Sequence, residues 1–134
     1  IIQSTDTDYI MRRIRERFLS DSTVTIVLLG RCTWARKYVD WELQASLRRG
    51  EHRTPNGLLG IKLPSYLEKG GSFPKRFNDN LKHEGQADCY ARHMPYPSTT
   101  ERLVQAIEAA YERRNTHAHL IVNPRDRLSY NRQC

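Results

Sequence analysis

The apolar positions of this chain change their spacing several times. Over residues 6–19, Ile10, Ile14 and Phe18 recur every fourth residue with arginines between them, and Thr5 and Asp8 have capping-box spacing, so an amphipathic surface helix is predicted. Residues 23–29, TVTIVLL, form a β-branched and almost continuous apolar run that ends at Gly30. Such a run suits a central strand of a parallel sheet covered on both faces. A helix is predicted over 34–49, with Gly50 as its stop. Residues 58–63 predict a second strand, closed by Pro64, and residues 87–91, ADCYA, a third and poorly marked one. The connection between them is punctuated by glycine and proline and has room for one or two helical turns at most. Residues 98–114 carry the clearest helical pattern: Ser98 and Glu101 form a capping box, Leu103, Ile107 and Tyr111 share a face, and Arg113 and Arg114 suit the C-terminal end.

Helices alternating with strands imply an open α/β sheet with parallel strands and crossover helices on both faces. The strands at 23–29 and 58–63 should therefore be adjacent and parallel, with the 34–49 helix crossing between them. Two well-marked strands and one poor one are thin for such a sheet. Strands are expected to be missing from the front, and the free edge of the 23–29 strand should be uncovered or paired with another chain. The chain has no internal repeat, no GxGxxG and no P-loop.

The 34–49 helix has apolar residues on two sides. At 100° per residue, Val39, Leu43 and Leu47 fall within about 40° of one direction, and Trp34, Tyr38, Trp41 and Ala45 within about 40° of the opposite one. The aliphatic stripe suits the sheet, so the aromatic stripe points away from it, with Glu42 on the boundary. Two readings follow. The aromatic face packs on another helix or a partner subunit with Glu42 as a solvated rim charge, or it walls a ligand site after the C-terminal end of a parallel strand, where open α/β sheets bind ligands.

Composition narrows the setting. The chain has 134 residues, the size of one domain, and 22 Lys and Arg against 15 Asp and Glu give it a net charge of +7. The basic residues are spread along the sequence without an aromatic-and-basic signature, so a solvated basic surface is expected and nucleic acid is not an expected partner. Cys32, Cys89 and Cys134 are odd in number and far apart, which supports neither a disulfide framework nor a zinc site and favours a reducing compartment. No apolar stretch reaches membrane-spanning length and no signal-peptide plan is present, so a soluble, cytoplasmic protein is expected. The first residue is not methionine, which predicts a piece of a longer protein. His117/His119 and His52/His83 are expected to be loop histidines rather than metal ligands, and Cys32 a buried thiol.

The strand STVTIVLLG, the turn RCTW, the helix RKYVDWELQASLRRG, the strand LLGIKLPS and the last helix ERLVQAIEAAYERR resemble the TIR-like domains of the bacterial Thoeris anti-phage systems, which are ThsB-like members of the TIR superfamily. The resemblance implies a flavodoxin-like fold over residues 1–115, incomplete at its N-terminus because the family begins with a strand, a helix and a second strand, and a C-terminal extension over 116–134. It also implies an NAD glycohydrolase or ADP-ribosyl cyclase activity, in which Glu42 matches the family's catalytic glutamate. NAD is then a substrate and no cofactor or metal is required. Trp34 and Trp41 would supply stacking surface and Arg36 or Lys37 would meet phosphate. The implied partners are NAD, other copies through TIR-like surfaces, and a separate effector reached through a cyclic ADP-ribose signal. The alternative is a non-enzymatic TIR-like interaction module. A receiver-like domain would need acidic residues at strand ends, which the LLGRC strand end lacks.

Overall fold

The computed structural model describes residues 23–50, 53–69 and 71–134. The helix predicted over 6–19 and His52 lie outside these residues. Three strands, β1 (Val24–Leu29), β2 (Gly57–Lys62) and β3 (Arg92–Pro95), form one sheet in the order β1-β2-β3. Both pairings are parallel, with Val27 opposite Gly60 and Gly60 opposite His93. Helix α1 (Lys37–Leu47) crosses from β1 to β2 as the alternation of elements predicts, α2 (Pro64–Lys69) and α3 (Lys75–Asp79) fill the long connection, and α4 (Thr100–Thr116) follows β3. The architecture is the α/β, TIR-like or flavodoxin-like arrangement expected, in a short version. Among the described residues β1 pairs on one side only.

The period of two in each strand sends alternate side chains to two cores. On one face Val27, Leu29 and Leu58 meet Leu43 and Leu47 of α1 and Phe77 of α3, with Val39 packed at the margin. On the other, Leu59 and Ile61 meet Ala110, Leu103 and Ile107 of α4. Each fully buried leucine contributes about 1.5–3 kcal/mol by leaving water. Two glycines of β2 permit this packing: a Cβ on Gly57 would collide with the Ala110 carbonyl of α4, and one on Gly60 would collide with Phe77 and Leu29 on the opposite face. The aliphatic stripe of α1 therefore faces the sheet, as its phase predicts.

Several boundaries differ from the sequence pattern. Trp34 is not helical in the α sense. Residues Thr33–Ala35 form a 3-10 turn, Arg36 is extended, and α1 begins at Lys37. The Thr33 hydroxyl is responsible: it accepts from Gly30 N–H at 2.9 Å and donates to the Leu28 carbonyl at 2.9 Å, pinning the turn to the end of β1. At the other end Arg48 is extended, so Gly50 is no C-cap and instead bridges to Arg53. The third strand lies at Arg92–Pro95 and not at 87–91. The apolar residues Cys89, Tyr90 and Ala91 are buried in the approach to it, where Ala91 N–H bonds Asn80 and the Tyr90 hydroxyl bonds the Asn56 carbonyl at 2.6 Å. The cap of α4 is Thr99, whose hydroxyl accepts from Arg102 N–H, and not Ser98.

The largest departure is the course of the last residues. After a 3-10 turn at Ala118–Leu120 the chain runs back over α1. Val122 exchanges two hydrogen bonds with the Asn80 side chain, Asn123 donates to the Gln44 carbonyl, Asn131 accepts from Lys37 N–H, and Arg132 N–H donates to the Ala35 carbonyl. The path ends in a disulfide between Cys32 and Cys134, with 5.7 Å between their Cα atoms across 102 residues of sequence. This overturns the reading of the cysteines as unpaired and of Cys32 as a buried thiol. Cysteine spacing along the chain could not show a pairing that depends on where the tail travels. Disulfides belong to oxidising surroundings, so the cysteines no longer argue for a reducing compartment. Cys89 is the free, buried thiol. Among the described residues no helix is long and apolar enough to cross a membrane.

Candidate active site

The candidate residues follow the C-terminal end of β1, the end of an open parallel sheet where ligands bind. The Thr33 turn delivers Trp34, and α1 then carries two carboxylates, Asp40 and Glu42, on different sides. Two residues apart on a helix is about 200°, so one chemical type is presented to two environments.

Asp40 is 5 % exposed and Arg76, on α3, is fully buried. Arg76 Nε donates to Asp40 Oδ1 at 2.9 Å and Nη2 to Oδ2 at 3.4 Å, while Nη1 reaches Asn123 Oδ1 at 2.9 Å. Asp40 Oδ2 also accepts from Leu128 N–H at 2.9 Å. Beside it the Trp41 indole, 4 % exposed, donates to the Leu128 carbonyl at 2.8 Å. What covers Trp41 on the aromatic side of α1 is neither another helix nor a partner subunit, as one reading of the two stripes expected, but the chain's own tail. Sequence reasoning missed Asp40, Arg76 and Asn123. The available signal was a carboxylate at the margin of the aliphatic stripe, where a lone charge would be expensive to bury without a cation.

Glu42 lies on the opposite flank, one helical turn from Tyr38 and from Ser46. Its backbone carbonyl accepts from the Ser46 hydroxyl, which is in turn shared with Thr25 of β1. The carboxylate itself is exposed and has no hydrogen-bond or ion-pair partner among the described residues. Partial burial pushes its pKa up from the ordinary value, because water solvates the charge incompletely.

The other candidate residues are spread around this geometry. Trp34 is half-buried beside the tail, Arg36 is exposed, and Tyr38 is half exposed, its ring meeting Trp41 edge-on at 5.0 Å. The Lys37 ammonium lies 5.2 Å from the Tyr38 ring and 5.4 Å from that of Trp41. Trp34, Lys37 and Trp41 are thus gathered on the tail side and Glu42 stands apart from them, with Tyr38 between. At the same end of the sheet His93 packs on Phe73, and burial followed by the nearby Lys62 lowers its pKa. His117 pairs with Asp88 at 2.7 Å and His83 with the Asn78 carbonyl, and among the described residues no three His, Cys, Asp or Glu are grouped to hold a metal.

The parallel sheet, the crossing helix and a carboxylate after the strand end define a TIR-like α/β domain. Residues 2–67, just under half of the chain, match the family model of the Thoeris protein ThsB, TIR-like domain, and the match supports a Thoeris TIR-like domain here. The matched stretch contains β1, α1 with Glu42, and β2. It stops within α2, so the likeness drawn through the last helix extends beyond it. No curated protein and no solved structure matches the chain.

Proposed function

We propose that this TIR-like domain serves anti-phage defence by cleaving NAD at the bond between nicotinamide and ribose, with Glu42 as the catalytic carboxylate. The observation that carries the reading is the division of labour on α1. Asp40 is consumed by Arg76 and the tail, whereas Glu42, at the position matching the family glutamate, is accessible, has no partner among the described residues, and is raised in pKa by desolvation. A carboxylate in that state interacts more strongly with an arriving positive charge than one already paired.

Nicotinamide leaves NAD as a neutral base, so the C–N bonding pair departs with it and the ribose acquires oxocarbenium character. The protein must hold the ribose hydroxyls and place a negative charge near C1′; Glu42 can do both. Attack by water then gives ADP-ribose. Attack by a nucleophile at the adenine end gives a cyclised ADP-ribose, the form that would signal to a separate effector. Arg36 is the exposed cation nearest the start of α1 for a phosphate, Lys37 is engaged with the rings, and Trp34 stands on the tail side, away from Glu42. Trp41 could stack a ligand only if the tail moved aside.

The test is nicotinamide release by the complete protein under activating conditions, compared with Glu42→Gln. Loss of one charge directed at a developing cation costs about 10²–10³ in turnover. A Glu42→Gln protein that releases nicotinamide at the parental rate would remove Glu42 from catalysis. If neither protein releases any, the domain acts as a non-enzymatic interaction module.

A further inference from the structure

Where the tail passes the start of α1 it encloses a cavity of about 590 Å³ that Glu42 does not line. Its walls come from the Thr33 turn, the start of α3 and the last residues of the chain. Lys75, Arg125, Arg127 and Arg132 bring cationic groups to it, against Asp40 and Asp126. Three of these six are already engaged: Asp40 is neutralised by Arg76 behind the wall, Arg125 is held by Asp79 at 2.8 and 2.9 Å, and Arg127 has a partner of its own, which leaves Lys75 and Arg132 against Asp126. The charge presented inward is then positive. The Lys75 side chain is exposed and makes no ion pair among the described residues. Arg132 is placed by its own N–H on the Ala35 carbonyl at 2.8 Å, and its guanidinium lies 5.8 Å from the Tyr130 ring.

Two aromatic rings complete the lining. Trp34 is half-buried on one side, and Tyr130, 66 % exposed, stands on the tail. Flat π surfaces beside cations suit a ligand with a planar ring and a compact anionic group, since a ring gains from stacking and phosphate oxygens from charge-assisted hydrogen bonds. The tail wall is fixed in advance by the Cys32–Cys134 bond and by Leu128 and Asn131 on α1, so little order has to be imposed on binding. We propose that this cavity binds a phosphate-bearing nucleotide of nucleoside diphosphate size, with its base on Trp34 and Tyr130 and its phosphates on Lys75 and Arg132. The site lies on the flank of α1 opposite Glu42 and does not rest on the NAD reading.

Calorimetric titration of the oxidised full chain with ADP tests it. ADP is expected to bind, and adenosine and pyrophosphate, each with half of the recognised chemistry, are expected to bind at least about tenfold more weakly. The double variant Lys75→Glu/Arg132→Glu changes two exposed side chains, and its ADP affinity should fall at least about tenfold with an unchanged thermal melt. Glu42→Gln should leave ADP affinity within about twofold, because additivity holds for separated sites. Absence of ADP binding at millimolar concentration, adenosine binding as tightly as ADP, or a double variant that binds like the parent would each overturn the proposal. So would loss of ADP binding in Glu42→Gln, which would move the nucleotide to the other flank.

Discussion

The two flanks of α1 hold the same kind of group in opposite states. On one, Asp40 is buried, doubly bonded to Arg76 and closed over by the tail; on the other, Glu42 is exposed, without a partner among the described residues, and raised in pKa. The contrast separates what a charged residue does for a fold from what it can do for a ligand. A buried ion pair has met its electrostatic demands internally. An accessible carboxylate without a cation has not, and it destabilises its own charged form until something positive arrives.

The largest expected effect comes from breaking the anchored flank. Among the described residues, Asp40→Ala leaves the buried Arg76 guanidinium with Asn123 and the Asp126 carbonyl for partners. Removing one member of a buried pair costs about 3–5 kcal/mol, which urea denaturation would read as a lower midpoint. A loss below about 1 kcal/mol would show that the pair does not hold this flank. Replacing both partners, as Asp40→Leu with Arg76→Met, should recover much of the loss because no charge is then stranded.

Next in size is the disulfide. Cys134→Ser opens a loop spanning 102 residues of sequence. Disulfide cross-links contribute typically about 2–4 kcal/mol. The tail should also loosen, and with it the cover of Trp41, so Trp emission should shift to the red and amide exchange at Leu128 should quicken. Unchanged emission and exchange would mean that the hydrogen bonds to Asp40, Trp41 and Lys37 hold the tail without the covalent tie.

A third acid sharpens the comparison through pH. Asp88 accepts from Cys89 N–H and pairs with His117 and Arg92, and these bonds, led by the backbone N–H, lower its pKa to about 2 from 3.8. A depressed acid contributes stability that is complete above its unfolded value and disappears as pH falls from about 3.8 through about 2. Asp88→Asn should therefore lower the melting temperature at neutral pH and narrow its gap to the parent progressively through that window. A gap that stays constant to pH 2 would show that the ion pairs of Asp88 do not stabilise the fold.

The sequence disclosed the parts of the fold governed by local periodicity. The apolar runs of β1 and β2, the aliphatic stripe of α1 and the capped α4 are decided by neighbours within a few residues, and all four occupy the expected layers. Glu42 could be singled out for the same reason: its helical phase and its match to a family motif are both local. The tail could not be foreseen this way. Residues 121–134 have no regular period, and their position is set by single hydrogen bonds to groups far away in sequence, such as that between Asn131 and Lys37, 94 residues apart, together with one disulfide. That also explains why Trp41, placed correctly away from the sheet, is nevertheless buried, and why Asp40 showed no sign of its partner. β3 was misplaced because Cys89, Tyr90 and Ala91 are apolar for burial while the ladder to β2 is made by the following four residues.

The smallest effect has the opposite sign from the first and bears most directly on the contrast between the flanks. Because the pKa of Glu42 is raised in the folded protein, the folded state binds its proton more tightly than the unfolded chain does. Stability then falls as pH rises from the unfolded value through the folded one, and above that window the charged group remains a small burden. Glutamine removes the charge and keeps the shape. Glu42→Gln should therefore be neutral to slightly stabilising at pH 7, within about 0.5 kcal/mol as for an exposed substitution, and should flatten the slope of stability with pH above about 4.5. Melts of both proteins from pH 4 upward would decide the sign. A Glu42→Gln protein clearly less stable than the parent at pH 7 would mean that the carboxylate has a stabilising partner, and the difference between the two flanks would then be one of degree.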